Sequence, residues 1–364
     1  MPPLPTHPKI AVSFVGSNTY KLASNVLNVV FKPGAFGGQV RNAVTCEATH
    51  EGGVFIGIFP LTRTSAHRSL LPRSVSQVMS AGLNAAIQST RPELTPVSCN
   101  SAFLGPSLLG KDLYFTSELV RESGRTFVTK RVTVRQLDEG EDMTALPHKP
   151  IVFEQTTAFY RPPLQDYSDE SSALISPLHA AFPAPSSEED FADSESLGEL
   201  MGRIQAGEVE RGAVYQMALG MTVKLAEKDM ETTVRVPKRP CPERGYGKST
   251  YYVGVPKSLA LNTKTVLPYI SDGMTQVLAC NDVLDPHLSS WPAKLTVWNY
   301  SMMFECNASE DRALPYLDGD GKRWFTIEYT VSGARDGFGT GSTRIMDVGG
   351  PLLSTATFSY LLLK

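Results

Sequence analysis

The chain has 364 residues, with 34 Lys plus Arg against 37 Asp plus Glu and a formal charge of -3. It therefore lacks the broad basic field on which sequence-independent nucleic-acid binding rests, and no nucleic-acid partner is expected. Apolar residues make up 41% and charged residues 20%, and no window approaches the roughly 18–20 uninterrupted apolar residues of a spanning helix, so no membrane partner is expected either.

The opening MPPLPTHPKIAVSF has no basic stretch followed by an apolar one, so no signal peptide is expected. The five cysteines, Cys46, Cys99, Cys241, Cys280 and Cys306, form no CxxC pair, which speaks against a zinc site and a disulfide framework. No metal and no cofactor is expected, and a reducing, cytoplasmic compartment is the default. The first marked element is a helix over Val78–Thr90 (VMSAGLNAAIQST), whose small apolar residues suit close packing on a sheet. Three strands follow, Asp112–Glu122, Thr126–Gln136 and Ile151–Arg161, rich in Val, Thr, Phe and Tyr and separated by turns at Gly124 and Pro147. The middle one sets Val128, Lys130, Val132 and Val134 against Thr129, Arg131, Thr133 and Arg135, the pattern of an antiparallel strand with one solvated face.

From Arg161 to about Ser196 the composition turns to Pro, Ser, Asp and Glu, too poor in bulky apolar residues to pack for itself. This divides the chain into a first domain 1–165, a linker 166–196 and a second domain 197–364. The second domain repeats the order of the first: a helix within Pro256–Val277, then strands at Ala293–Cys306, Arg323–Val331, Gly339–Val348 and Leu352–Leu363. A helix followed by an antiparallel meander, twice over, predicts two α+β domains whose sheets each wrap a central helix.

Ala35-Phe36-Gly37-Gly38-Gln39 and the run NSAFLGPSLLGKDLYFTSELVRESGRTFVTKRVTVRQ (Asn100–Gln136) resemble the first half of type II acyl-CoA thioesterases, which have a double hotdog fold. The turn and strand from Gly124-Arg125-Thr126-Phe127 to Gln136 are the most specific piece. In the second half, Val266-Leu267-Pro268-Tyr269-Ile270-Ser271-Asp272 and Asn299-Tyr300-Ser301-Met302-Met303-Phe304 resemble that family's helix and following strand. The resemblance implies hydrolysis of fatty acyl-CoA, or a related acyl-carrier thioester, by water held between an Asp, a hydroxyl residue and a Gln. It also implies further association into a homo-oligomer and allows a peroxisomal location, although the closing Leu362-Leu363-Lys364 is not the simple peroxisomal signal.

Carried over residue by residue, the Asp is Asp272, the candidate base. The hydroxyl position falls on Val297, with Thr296 one step away on the other strand face, and the Gln position falls on Phe358. Gly37 and Gly38, with Gln39, are candidate substrate-binding residues, offering backbone N–H groups to a thioester oxygen, and Thr296 joins them as a candidate. A carboxylate can act as base toward water while aligned N–H groups stabilise the developing oxyanion. Val and Phe at the other two positions leave a second expectation from a different class: an acyl-thioester-binding or pathway-accessory hotdog protein without hydrolysis.

Val40–Gln77 interrupts the resemblance with 38 residues, and joining Gln39 to Val78 restores GAFGGQVMSAGLNAAIQST. The segment begins Val-Arg and ends in Gln, residues whose codons can carry the edges of a spliceosomal intron, so it is read as a retained intron; a genuine surface loop is the plain alternative. Gly245–Thr250 (GYGKST) lacks the first Gly of a phosphate loop because position 242 is Pro242, and no GxSxG elbow is present.

Overall fold

The computed structural model describes residues 12–16, 19–22, 28–33, 43–49, 58–60, 75–105, 111–138, 140–161, 193–211, 215–216, 219, 233–238, 247–256, 263–271, 279, 294–305, 321–332, 337–347 and 352–363. Along them the first half contributes β1 (Val12–Gly16), β2 (Thr19–Leu22), β3 (Asn28–Pro33), β4 (Ala43–Thr49), β5 (Ile58–Pro60), α1 (Val75–Gln88), β6 (Thr95–Phe103), β7 (Asp112–Ser123), β8 (Phe127–Leu137) and β9 (Phe153–Tyr160). The second contributes β10 (Ser194–Ser196), α2 (Leu197–Gln205), β11 (Thr233–Pro237), β12 (Lys248–Pro256), α3 (Thr263–Ser271), β13 (Lys294–Phe304), β14 (Lys322–Val331), β15 (Phe338–Met346) and β16 (Leu352–Leu363).

The strands predicted from alternation form within a residue or two of their expected ends. The helices differ more. The first begins at Val75, so Val75-Ser76-Gln77 of the interrupting segment form its first turn, and it closes at Gln88 with Ser89 and Thr90 bonding back onto Ala85 and Ile87. In the second half Pro256 ends a strand, and the described helix runs only over Thr263–Ser271; of the expected helix, 257–262 and 272–277 lie outside the described residues. Pro256 stands opposite Lys322 as the last residue of its strand.

Thirteen strands form one antiparallel sheet in the order β1-β2-β7-β8-β9-β6-β13-β16-β15-β14-β12-β11-β10. The order β7-β8-β9-β6 of one half meets its mirror β13-β16-β15-β14 in the other: in each half three consecutive strands form a meander, the strand before them crosses over to pair with the last of the three, and the halves join through these crossing strands, β6 and β13. Their seam runs from Asn299 opposite Ala102 to Met303 opposite Ser98. The linker's final residues are strand: Ser194–Ser196 pair with Arg235–Pro237 at the sheet's edge, and Ser196 then caps α2 in a reciprocal pair with Glu199. β3, β4 and β5 pair with one another in a separate small sheet.

One face of the large sheet is apolar because the alternation demands it. Val128, Val132 and Val134 of β8, Phe153 and Phe159 of β9, Phe325 and Ile327 of β14 and Tyr360 of β16 are all buried. α1 lies in the first half against β6–β9 and packs on α3, its neighbour from the second half. Ala81, Gly82, Ala85 and Ala86 keep α1 thin enough for both contacts. At Gly82 a Cβ would stand 2.5 Å from Gln155 Oε1, so only glycine admits the Gln155 amide against the helix. A second tie between halves is Lys264 of α3, buried, whose Nζ donates to Thr95 Oγ1 and, at 3.4 Å, to Pro96 O.

Candidate active site

Of the candidate site residues, Asp272, Gly37, Gly38 and Gln39 lie outside the described residues. Thr296 stands in β13 with its backbone opposite Leu361. The described residues reach Ser271, the residue before Asp272 in the chain. Ser271 is fully buried, and its Oγ donates to Pro268 O at 3.0 Å. Its carbonyl accepts two phenol hydroxyls: Tyr329 Oη at 3.0 Å from β14 and Tyr300 Oη at 3.5 Å from β13.

Both tyrosines face inward as a result of strand register. Tyr300 pairs with Phe358 of β16, and Tyr329 with Ser249 of β12 and Thr343 of β15. The Tyr300 and Phe358 rings stack at 6.1 Å and 11° between planes, while Tyr329 meets Tyr251 edge to face at 5.9 Å. A buried phenol needs a hydrogen-bond partner, and the Ser271 carbonyl serves two. Sequence reasoning passed over these tyrosines as strand aromatics; the signal available was a Tyr, rather than a Phe, on the inward face.

Val297 and Phe358 are core residues, at 9% and 2% exposure. A bulge decides the first. Val297 pairs with Tyr360 and Asn299 with Ser359, leaving Trp298 as the extra residue, 46% exposed, and turning Val297 inward on the side of Tyr300. Strict alternation back from Tyr300 would have put position 298 there instead. On β16, Thr357 is exposed and Ser359 half-buried, so neither hydroxyl shares the buried face of Phe358. The two phenols are thus the side-chain hydroxyls that meet the Ser271 carbonyl among the described residues.

Phe358 fits because of what lies opposite. It is paired with Gly341, and Tyr360 with Gly339, so each ring covers bare backbone of β15. A Cβ at Gly341 would come within 2.2 Å of Phe358 Cζ, and one at Gly339 within 2.1 Å of Tyr360 Cζ. Glycines that weaken a strand are here filled by the neighbouring aromatics.

Among the described residues no group of three His, Cys, Asp or Glu side chains could hold a metal ion, and no helix is long and apolar enough to cross a membrane.

Two meanders, each closing over a helix and fused along β6 and β13, define a double hotdog protein of the α+β class. No protein-family model and no curated protein matches the sequence. Solved structures match along the whole chain. Acyl-CoA thioesterase II TesB2 of Mycobacterium marinum is 14% identical, covering 97% of this chain and 95% of its own, with a TM-score of 0.52. A protein assigned as a thioesterase II of Thermobifida fusca YX is 14% identical, covering 100% of both chains, with a TM-score of 0.53. A conserved hot dog fold protein of Alicyclobacillus acidocaldarius is 13% identical, covering 99% of both chains, with a TM-score of 0.51. At these identities the likeness is one of fold.

Proposed function

We propose that the chain is an acyl-CoA thioesterase-like hydrolase in which the Asp272 carboxylate takes a proton from water. The water oxygen attacks the thioester carbonyl carbon, the carbon–sulfur bond breaks, and the thiolate leaves with a proton, yielding free acid and CoA or the thiol of an acyl carrier. The single observation that carries this reading is the meeting of Tyr300 and Tyr329 on the carbonyl of Ser271, the residue bonded to Asp272. Two hydroxyls donating to one peptide oxygen anchor the stretch that leads to the proposed base, which supports a positioned carboxylate there. They do so in a fold whose second-half sequence carries the Ser271-Asp272 pair. Gly37, Gly38 and Gln39, with Thr296, remain the proposed substrate contacts.

A second reading is favoured by a specific observation. Val297 and Phe358 are buried apolar residues at the two positions where the resemblance implies a hydroxyl and a Gln. A protein with that lining would bind an acyl thioester without cleaving it.

Thiol release from a panel of acyl-CoAs separates the two readings. Turnover is expected, and Tyr329→Phe is expected to lower kcat roughly tenfold, about 1.4 kcal/mol, with KM little changed, because the phenol positions the base and does not bind the acyl chain. Saturable acyl-CoA binding without turnover would establish the second reading.

We also propose that residues 40–77 are a retained intron. β4 and β5, the strands that lie wholly inside the segment, pair with each other and with β3 and add nothing to the large sheet. Joining Gln39 to Val78 sets Gly37-Gly38-Gln39 in place of Val75-Ser76-Gln77, so a Gln still precedes Val78 at the start of the helix. Mass spectrometry of the protein from its native source is expected to show a peptide spanning the Gln39–Val78 junction and none from within 40–77; a peptide from inside the segment would refute the proposal.

A further inference from the structure

On the buried face of β6 and β9 stand Cys99, Ser101, Gln155 and Thr157, each at most 1% exposed. Ser101 is opposite Gln155 and Cys99 opposite Thr157, so the four side chains form one patch two residues wide and two long. The strands that continue the sheet across the seam have Met302 opposite Ala356 and Phe304 opposite Ser354, a mostly apolar pair of rows. Met302 itself is paired with Cys99 across the seam.

The patch faces α1. Gln155 Nε2 donates to Met79 O of that helix at 3.4 Å, and Phe103, in ring contact with Phe153, closes one side. Three acceptors in it have no hydrogen-bond partner: Ser101 Oγ, Gln155 Oε1 and Thr157 Oγ1. Natural cores rarely leave such atoms unpaired, because desolvation without a replacement bond is a direct loss of stability. All three lie on adjacent positions of one face, and they are neutral. The fourth member is neutral as well, since burial pushes the Cys99 thiol up to about 12, against hydrogen bonding from Gln155 and the Met302 backbone that pulls the other way.

We propose that this patch is an internal hydration site, in which water sealed between β6, β9 and α1 donates to Gln155 Oε1 and bonds the hydroxyls of Ser101 and Thr157. The ligand must be small, since Cys99, Ser101 and Thr157 are themselves small and α1 closes over them. It must be neutral, since no charge is present to meet one. It must also be able both to give and to accept hydrogen bonds, since the unpaired set holds two hydroxyls and an amide oxygen. Water meets these requirements, and buried waters characteristically bond several otherwise unsatisfied groups.

The sign of one substitution tests the proposal. Thr157→Val keeps the shape and deletes the hydroxyl. In a dry patch it would remove an unpaired buried group and leave the melting temperature unchanged or higher; in a hydrated one it strands a water and lowers it. A fall in melting temperature is expected, and a smaller additional fall when Ser101→Ala is combined with it, because the two side chains share their water. Magnetic relaxation dispersion of water oxygen on the full-length, unsubstituted protein is expected to show a long-lived internal population, which does not depend on either variant folding. An unchanged or raised melting temperature for Thr157→Val, or no long-lived water in the unsubstituted protein, would overturn the proposal.

Discussion

Asp272→Asn is expected to cut acyl-CoA turnover by at least about a hundredfold while leaving the melting temperature and acyl-CoA affinity close to those of the parent, the lower end of what a positioned general base contributes. Asn keeps the size and hydrogen-bonding shape of Asp but cannot take the proton of the attacking water. The peptide that leads into it stays anchored, since the Ser271 carbonyl keeps its bonds to Tyr329 at 3.0 Å and Tyr300 at 3.5 Å. The substitution therefore removes basicity with little change of position, which is why a loss in kcat at constant KM is the diagnostic pattern. The measurement is thiol release by the parent and Asp272→Asn, each with and without residues 40–77. Undiminished turnover in Asp272→Asn would remove Asp272 from the mechanism. Absent turnover in the parent with acyl-CoA binding retained would leave the fold as a binding module, as Val297 and Phe358 suggest.

The largest effect on stability is expected at Gly341. Alanine there would set a Cβ within 2.2 Å of Phe358 Cζ and within 2.7 Å of two further ring atoms, too close for any real contact. Phe358 cannot retreat easily, because its other side is stacked on Tyr300 with 11° between the planes and the ring is 2% exposed. The strain passes into β13 or opens the β15–β16 ladder, and overpacking of this kind costs about 2–3 kcal/mol. Gly341→Ala is expected to lower the denaturation midpoint accordingly, and Phe358→Leu in the same chain to recover part of the loss. An unaltered midpoint would mean that the ring has another place to go. The consequence reaches the candidate site, because a displaced Phe358 moves Tyr300, and with it one of the two hydroxyls on Ser271. Gly341 thus explains why a Phe is accommodated at the position where a Gln is implied: the aromatic fills the space over bare backbone that a polar side chain would leave empty.

Much of this was legible in the chain itself. The period-2 alternation of Phe127–Leu137 and Lys322–Val331 specifies strands with one buried face, and the return of helix-then-meander in the second half specifies two like domains. The inward lean of Phe358 was also available, since it alternates in phase with Ala356 and Tyr360. Other features were set by the tertiary structure because they depend on partners distant in sequence. β6, Thr-Pro-Val-Ser-Cys-Asn-Ser-Ala-Phe, is not among the strands expected from alternation, yet it is the strand on which the halves meet; its order comes from ladders on both sides to β9 and β13. The bulge at Trp298 reverses the face of everything before it, a shift visible only once Val297 is seen opposite Tyr360. The glycines at 339 and 341 look like strand weaknesses until Tyr360 and Phe358 are found lying over them. The two tyrosines on the Ser271 carbonyl lie 29 and 58 residues beyond it. Local periodicity determined which residues turn inward; only the pairing of remote strands decided which of them meet, because a cross-strand neighbour is fixed by register and not by position along the chain.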